Sequence, residues 1–349
     1  MNKIVLDSVI FGLQRFGGIS NYWKKIINWN IKHHAKKSLN IIYPSNIRAI
    51  DEFDGFKSAA NVTSEYLPVA LTRYADVFQV PNDCDVFHSS YYRLPFRKVK
   101  NSVITVYDFT YEKFMSGVQR KVHSWQKFKA IRSADTIICI SNSTRSDLLE
   151  LLPDIESKRV HVVPLAVDRN IYHQPSLREI DLDDIILFVG GRSKYKRFDL
   201  AVEALSLVNN FRLGVIGPPL TTEEKEMLTR KLGSRWHEFG LMKSADMSRI
   251  YSSVFAFMFP SDYEGFGLPV LESMACGCPV ICSKSSSLPE VGGDAAFYAE
   301  DQDPSEYARL IREIESDSVR DKAILMGFVN IEKYSWDETC RLTQSLYCS

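Results

Sequence analysis

Short apolar runs recur along all 349 residues, each followed by a longer amphipathic stretch. A run that is apolar throughout fits a strand buried on both faces, and the amphipathic stretch after it fits the helix that covers it and returns the chain. The alternation predicts an α/β architecture of mostly parallel sheets layered between helices. In the first half the runs predict strands at Ile4 to Phe11, Leu39 to Tyr43, Asp85 to His88, Val103 to Tyr107, Thr136 to Ile140 and Val160 to Pro164. The pattern breaks between Pro164 and Pro175. It resumes with Ile185 to Gly190, Leu213 to Gly217, Glu238 to Gly240, Ala256 to Phe259, Val280 to Cys282 and Ala296 to Tyr298. The chain is long for one hydrophobic core, so two domains, 1–170 and 171–349, are the expected division.

No stretch of about 18 apolar residues is present to span a bilayer, and Met1 to Asp7 begins a strand rather than a leader peptide, which predicts a cytoplasmic protein. Seven cysteines include the group Cys276, Cys278 and Cys282. Cys278 to Cys282 alternates like a buried strand and has no neighbouring histidine, so core thiols are expected rather than a metal site or disulfide. The net charge is zero, yet residues 1–170 carry 24 Lys and Arg against 16 Asp and Glu, and the remainder 19 against 27. The first half is thus basic by eight charges and suits an anionic surface or acceptor. Lys113, Arg120, Lys121, Lys127, Lys129 and Arg132 share one helix-like stretch with Phe114, Val118, Trp125 and Phe128, the composition of a helix lying on a membrane surface. A solvated basic face accounts for the same pattern equally well.

The most informative local segment is Pro260 to Pro279. After the buried strand Ala256 to Phe259, the glycines Gly265 and Gly267 leave backbone N–H groups unshielded, Pro269 suits a first helical turn, and Gly277 ends the helix. A helix N-terminus behind glycines attracts anions, because unpaired N–H groups and the macrodipole both present positive charge. Glu264 and Glu272 flank that turn and can accept hydrogen bonds from sugar and ribose hydroxyls on either side of a diphosphate. A hydrolytic pair would need its carboxyls about 5 to 9.5 Å apart, whereas eight helical residues rise about 12 Å. Thr221 to Glu224 has capping-box spacing. Neither half shows a tight G-x-G-x-x-G after its first strand, which argues against a nicotinamide dehydrogenase. Gly17 and Gly18, in the loop after the first strand, can approach a phosphate by backbone alone, with Ser20 available to cap the following helix.

Glu264-Gly-Phe-Gly-Leu-Pro-Val-Leu-Glu272 resembles the E-x7-E signature of the retaining, nucleotide-sugar-dependent glycosyltransferases of family 4. Phe16-Gly17-Gly18-Ile19-Ser20, Val103 to Asp108, Ile140 to Thr144, Phe188 to Arg192, Tyr195-Lys196 and Ser287 to Val291 follow in family order. The resemblance implies the GT-B fold, two facing Rossmann-like domains with an interdomain cleft. The first domain would bind the acceptor and the second the nucleotide sugar, and the last helix could return to the first.

Transfer from a nucleotide sugar builds negative charge on phosphate oxygens, which fixed cations can stabilise without reorganisation. Arg192 and Lys196, in the loop after Phe188 to Gly191, match the family positions that bind the donor diphosphate, which implies no metal and no cofactor. Asp83-Cys84-Asp85 reads as a strand-entry turn, since its apolar residues follow the acids. The resemblance assigns Gly191, Gly265, Phe266, Gly267 and Leu268 to the donor, with Leu241 beside the nucleobase and Glu272 on the ribose. Tyr107-Asp108 stands where many members carry His-Asp. A phenol with a pKa near 10 is a poor base at neutral pH, so Asp108 or the departing phosphate would accept the acceptor proton. His88 and His123 are further candidates for contact with acceptor or sugar.

The resemblance, taken with the basic first half, therefore implies a retaining hexosyltransferase, mannose being one candidate sugar. It would act on a growing, lipid-linked saccharide of the O-antigen or polysaccharide kind at the inner membrane face, with no nucleic acid partner. A sugar-nucleotide epimerase, a phosphorylase and a catalytically silent binder are the alternatives.

Overall fold

The computed structural model describes residues 2–14, 17–44, 60–65, 68–175 and 180–348. The chain divides into two compact units, Met1–Leu165 with Trp336–Ser349, and Ala166–Ser335. The first contains a seven-stranded sheet: β1 (Ile4–Asp7), β2 (Leu39–Pro44), β3 (Asn61–Glu65), β4 (Val86–Ser89), β5 (Asn101–Val106), β6 (Thr136–Cys139) and β7 (Val160–Val162), in the spatial order β3-β2-β1-β4-β5-β6-β7. The second has six: β8 (Leu182–Val189), β9 (Arg212–Ile216), β10 (Trp236–Gly240), β11 (Val254–Phe259), β12 (Val280–Ser283) and β13 (Ala296–Ala299), in the order β10-β9-β8-β11-β12-β13. Every pairing between these strands is parallel. Helices therefore cover both faces, which is why Ile185 to Phe188 and Ala256 to Met258 can be apolar without interruption and wholly buried.

Strand order reverses between β1 and β4 in the first sheet and between β8 and β11 in the second. At such a reversal the following loops leave in opposite directions and open a crevice beyond the strand ends. The loops bearing Gly17 and Tyr91, and those bearing Lys196 and Glu264, are placed by this topology.

Two expectations are corrected. The first strand stops at Asp7, and Ile10–Leu13 forms a helical turn in which Phe11 N–H bonds Ser8 C=O (3.2 Å) and Gly12 N–H bonds Val9 C=O (3.0 Å). Ile10 and Phe11 are buried there, and burial alone does not distinguish a strand from an inward-facing turn. β3 was not expected, because its half-exposed edge sequence Asn-Val-Thr-Ser-Glu lacks an apolar run.

The final helix, Trp336–Ser345, belongs to the first unit. Thr339 donates to Pro164 C=O (2.7 Å), Asn101 to Leu346 C=O (2.8 Å), and the Tyr347 hydroxyl meets His88 Nδ1 (2.7 Å).

At the β1–β4 reversal a buried guanidinium joins three strand ends. Arg93 donates from Nη1 to Asp7 (2.9 Å) and Glu65 (2.8 Å), and from Nη2 to the other Glu65 oxygen (2.8 Å), while Ser89 donates to Asp7 (3.1 Å). Burial pushes the Asp7 carboxyl up, and Arg93 opposes that shift. Arg93→Ala leaves two buried carboxylates uncompensated and is expected to cost about 3–5 kcal/mol of stability. Urea denaturation of the full chain checks this, and a loss below about 1 kcal/mol, the range of an exposed ion pair, would contradict it.

Candidate functional site

In the second unit the loops after β8, β9 and β10 are laced together by main chain. Gly190 N–H donates to Ile216 C=O (2.9 Å), and Gly217 N–H to Gly240 C=O (3.0 Å). A Cβ at Gly217 would overlap the Gly190 carbonyl oxygen, so only glycine permits this approach. Asp262 N–H donates to Tyr195 C=O (2.7 Å), which ties the loop after β8 to the loop after β11 across the reversal.

Lys196 closes the short 3-10 turn Lys194–Lys196 and forms an ion pair with Glu264. Both side chains are mostly buried, 17% and 14% exposed, and the ammonium lies 5.2 Å from the ring centres of Tyr195 and Phe259. Glu264 is held at its backbone as well: its N–H donates to Ser286 Oγ (2.8 Å) and its C=O accepts from Ser287 Oγ (2.9 Å). Ser287 also donates to Phe266 C=O (2.8 Å). These serines fix the loop that opens the helix Leu268–Ala275.

Gly267 caps that helix with φ +100°, and a Cβ there would stand 2.8 Å from Leu288. Pro269 lies in the first turn, as its type predicts. Phe266 is buried with its ring 5.9 Å from Tyr334, so only its main chain is available to a ligand. Leu268 is half-buried, and Leu241, directly after β10, is 77% exposed.

Glu272 sits in the same helix among Tyr172, Tyr251 and Cys276. Burial raises its carboxyl to about 7, and a hydrogen bond from Tyr172 works in the opposite direction. Part of the residue still reaches solvent, so it can meet a ligand. Tyr251 lies beside it, fully buried, and its hydroxyl has no hydrogen-bond partner among the described residues.

Arg192 takes a different direction from Lys196. Its Nε donates to Glu224 (2.7 Å) and its Nη2 to Pro219 C=O (2.8 Å), on the β9 side of the loop. Its buried Nη1 has no partner among the described residues. The structure thus brings Lys196 to Glu264 directly, whereas Arg192 is anchored by Glu224. Gly191 lies between Gly190 and Arg192, with no atom within 4 Å of the position a Cβ would take.

In the first unit Gly17 and Gly18 begin the helix Gly18–His33, which has no side-chain cap. Ser20 does not cap it: it lies inside the helix and donates to Gln14 C=O (2.9 Å). Phe16 lies outside the described residues. Tyr107 is buried, and its hydroxyl accepts from Trp23 Nε1 (2.7 Å) and donates to Ser90 C=O (3.1 Å), so the phenol is a packing element. The Asp108 carboxylate accepts from Thr110 N–H (2.9 Å), and its carbonyl accepts from Lys127 (2.9 Å).

His88 is occupied at both ring nitrogens and His123 at Nε2, its buried Nδ1 having no hydrogen-bond partner among the described residues. His88 meets Tyr347 and Thr105 (2.9 Å) with its two nitrogens, and burial lowers it to about 3. His123 stacks on Tyr111 at 3.9 Å and meets the Tyr91 hydroxyl at 3.0 Å.

The expected single basic helix is two, Thr110–Phe114 and Gly117–Ser133, broken at Met115 and Ser116. Lys127 is not on its solvent face but fully buried, paired with Glu112 at 2.7 Å. Asp83 pairs with Lys3, and Asp85 with Lys100 (2.5 Å). Among the described residues no group of three or more His, Cys, Asp or Glu side chains is placed to hold a metal ion.

Two family models match consecutive parts of the chain: glycosyltransferase family 4 over residues 55–170, and glycosyl transferases group 1 over 173–325. The chain belongs to the family 4 glycosyltransferases. It is 27% identical over 282 residues to the O-antigen chain mannosyltransferase B of Escherichia coli, an alignment covering 75% of this chain and 74% of that one. Anabaena HepE, solved with UDP and glucose, superposes with a TM-score of 0.77 at 14% identity over all of both chains. Sucrose-phosphate synthase of Thermosynechococcus elongatus gives 0.77 at 17% identity, over 99% and 98% of the two chains. The fold is GT-B.

Against that family pattern, sequence reasoning missed Tyr172 and Ser286, the bonds that Ser287 makes to the Glu264 loop, and the second duty of Glu224. Thr221 and Glu224 were legible as a capping box, and the structure forms it, with Glu224 N–H on Thr221 Oγ1 (3.2 Å) and Thr221 N–H on Glu224 (2.8 Å). Nothing in the spacing tied it to Arg192.

Because the folded carboxyl of Glu272 is raised, its ionisation opposes folding as pH climbs from the unfolded carboxylate range through about 7. The Tyr172 hydrogen bond favours the charged form, so Tyr172→Phe should move the titration higher still. Carboxyl-carbon NMR of labelled glutamates is expected to show a midpoint near 7 in the native chain. A midpoint near the ordinary value of about 4.3 would contradict it.

Proposed function

We propose that this glycosyltransferase moves a hexose, mannose being the first choice, from a nucleoside diphosphate sugar to a growing lipid-linked saccharide, with retention and without a metal ion. The observation that carries the reading is the meeting of Lys196 with Glu264 at the β8–β11 reversal, directly before the helix Leu268–Ala275. A cation, a carboxylate and a helix N-terminus converge where a diphosphate with a sugar on one side would lie. The name of the Escherichia coli relative favours mannose and an O-antigen acceptor. The HepE complex favours a nucleotide sugar as donor.

In this reading the second unit binds the donor. The Glu272 carboxylate accepts from the ribose hydroxyls, with the backbone around Leu241 against the base. Glu264 accepts from hydroxyls of the transferred sugar. Main-chain N–H groups of Gly265, Phe266, Gly267 and Leu268, and of Gly191, serve the diphosphate with Arg192 and Lys196.

The bond from the anomeric carbon to the phosphate oxygen breaks while a bond to the acceptor oxygen forms on the same face of the sugar. The acceptor proton passes to the departing phosphate oxygen. Asp108, with Gly17 and Gly18 in the first unit, orients the acceptor. Tyr107 and His88 take no part in proton transfer, because each is fully engaged in packing. The negative charge that grows on the leaving group is met by side chains already in place, which is where preorganised electrostatics contributes most.

The first unit also offers a surface for the lipid. Val118, Val122 and Trp125 are exposed at i, i+4 and i+7 of the helix Gly117–Ser133, beside exposed Phe114 and Met115, with Arg120, Lys121 and Lys129 around them. The opposite face buries His123, Gln126, Lys127, Ala130 and Ile131. No helix among the described residues is long and apolar enough to cross a membrane. The exposed face instead suits attachment along an anionic membrane surface.

Nucleotide release from a panel of GDP- and UDP-sugars, in EDTA and with a saccharide acceptor, tests transfer. Acceptor-dependent release is expected, and Lys196→Ala should lower kcat by roughly 10²–10³. Sugar interconversion without acceptor, or loss of turnover in EDTA, would contradict the reading. Separately, sedimentation with phosphatidylglycerol vesicles should be salt-sensitive and lost in the double variant Val122→Ser, Trp125→Ser. Equal sedimentation of that variant would remove the membrane face from the account.

A further inference from the structure

Glu224 gives its two carboxylate oxygens to two different tasks. One accepts from Arg192 Nε at 2.7 Å, and the other accepts from Thr221 N–H at 2.8 Å, closing the capping box of the helix Thr222–Leu232. The same turn supplies Pro219 C=O to Arg192 Nη2 at 2.8 Å. It is locked in turn to β10, because Leu220 N–H donates to Glu238 (2.7 Å), which also pairs with Lys225 (3.1 Å). Arg192 is therefore clamped on two of its three nitrogens by a single rigid turn. Its side chain is only 6% exposed, and Nη1 is the nitrogen left without a partner among the described residues.

A buried guanidinium nitrogen without an acceptor is costly, and an anionic oxygen relieves that cost with a short, charge-assisted bond. A long arginine otherwise samples many rotamers, so its value to a ligand depends on how many are excluded beforehand. We infer that Glu224 is a positioning residue of the donor site: through the capping box it fixes the Arg192 fork so that Nη1 is the donor kept for a phosphate oxygen of the nucleotide. This rests on the donor-site reading above and adds to it a residue that touches no substrate. The cap and the site then share one carboxylate but use different oxygens of it, Oε1 for Arg192 and Oε2 for Thr221 N–H.

The two tasks of Glu224 can be separated. Thr221→Ala removes half of the capping box but keeps the backbone N–H that holds Glu224, so it should lower the melting temperature while leaving Arg192 in place. Glu224→Ala removes both bonds, and Glu224→Gln keeps one acceptor oxygen and should recover part of the loss. Calorimetric titration with GDP and UDP is the readout, with melting temperature recorded for every variant.

Glu224→Ala is expected to weaken binding of the preferred nucleotide about tenfold, with Thr221→Ala within about twofold of the native chain although both melt earlier. In an Arg192→Ala background Glu224→Ala should add no further loss. Native-like affinity in Glu224→Ala, an equal loss in Thr221→Ala, or additive losses with Arg192→Ala would overturn the inference. If Arg192→Ala itself binds both nucleotides as the native chain does, the donor-site reading fails first, and the positioning role with it.

Discussion

Lys196 and Glu264 meet because β8 and β11 are neighbours in the sheet although much of the second unit separates them in the chain. The chain adds β9 and β10 outward from one edge of β8 and then returns to place β11, β12 and β13 on its other edge, so β8 and β11 are neighbours without being consecutive. The loops at that reversal diverge, and whatever chemistry the unit performs is concentrated in the gap. Among the described residues the gap is spanned by two ion pairs, Lys196 with Glu264 and Arg197 with Asp262, and by the main-chain bond from Asp262 to Tyr195. Directly below it the core is closed, with Phe188, Phe257 and Ile281 fully buried.

The two cations of the site are held in different ways. Lys196 carries a compact charge on a flexible stem and pairs with a carboxylate that has hydroxyls to bind in the proposed reaction. Arg192 is a planar fork with its orientation already set by Glu224 and Pro219. In the proposed reaction both cations meet the diphosphate from positions fixed beforehand, Lys196 by Glu264 and Arg192 by Glu224. Around them, Ser286 and Ser287 hold the Glu264 backbone, and Gly217 lets two loops approach at main-chain distance.

Much of this was legible in the sequence wherever the signal was local. The spacing of Glu264, Gly267, Pro269 and Glu272 defines one strand-turn-helix unit, and the parallel sheets follow from apolar runs that allow no solvent face. What escaped were side chains whose partners come from elsewhere in the chain. Glu224 read as a helix cap because its role with Arg192 depends on the turn after β9 lying beside the loop after β8. Ser20 read as a cap from its place after two glycines, but the helix begins at Gly18 and leaves it inside. Lys127 read as part of a basic face because nothing in the stretch 113–132 shows that Glu112 waits beneath it. Phe11 read as strand because burial, not period, dominated its neighbourhood. His88 read as a candidate for contact with acceptor or sugar, but its two ring nitrogens are taken up by buried bonds to Tyr347 and Thr105.

The account depends on an anionic leaving group being met by protein groups alone at the β8–β11 reversal. A crystal structure of the chain soaked with GDP or UDP in EDTA tests that most directly. The account predicts the diphosphate at the start of the helix Leu268–Ala275, with Lys196 and Arg192 Nη1 within hydrogen-bond distance of its oxygens and the ribose on Glu272. A nucleotide bound elsewhere, or bound there with Lys196 still paired to Glu264 and Arg192 out of reach of the phosphates, would contradict it.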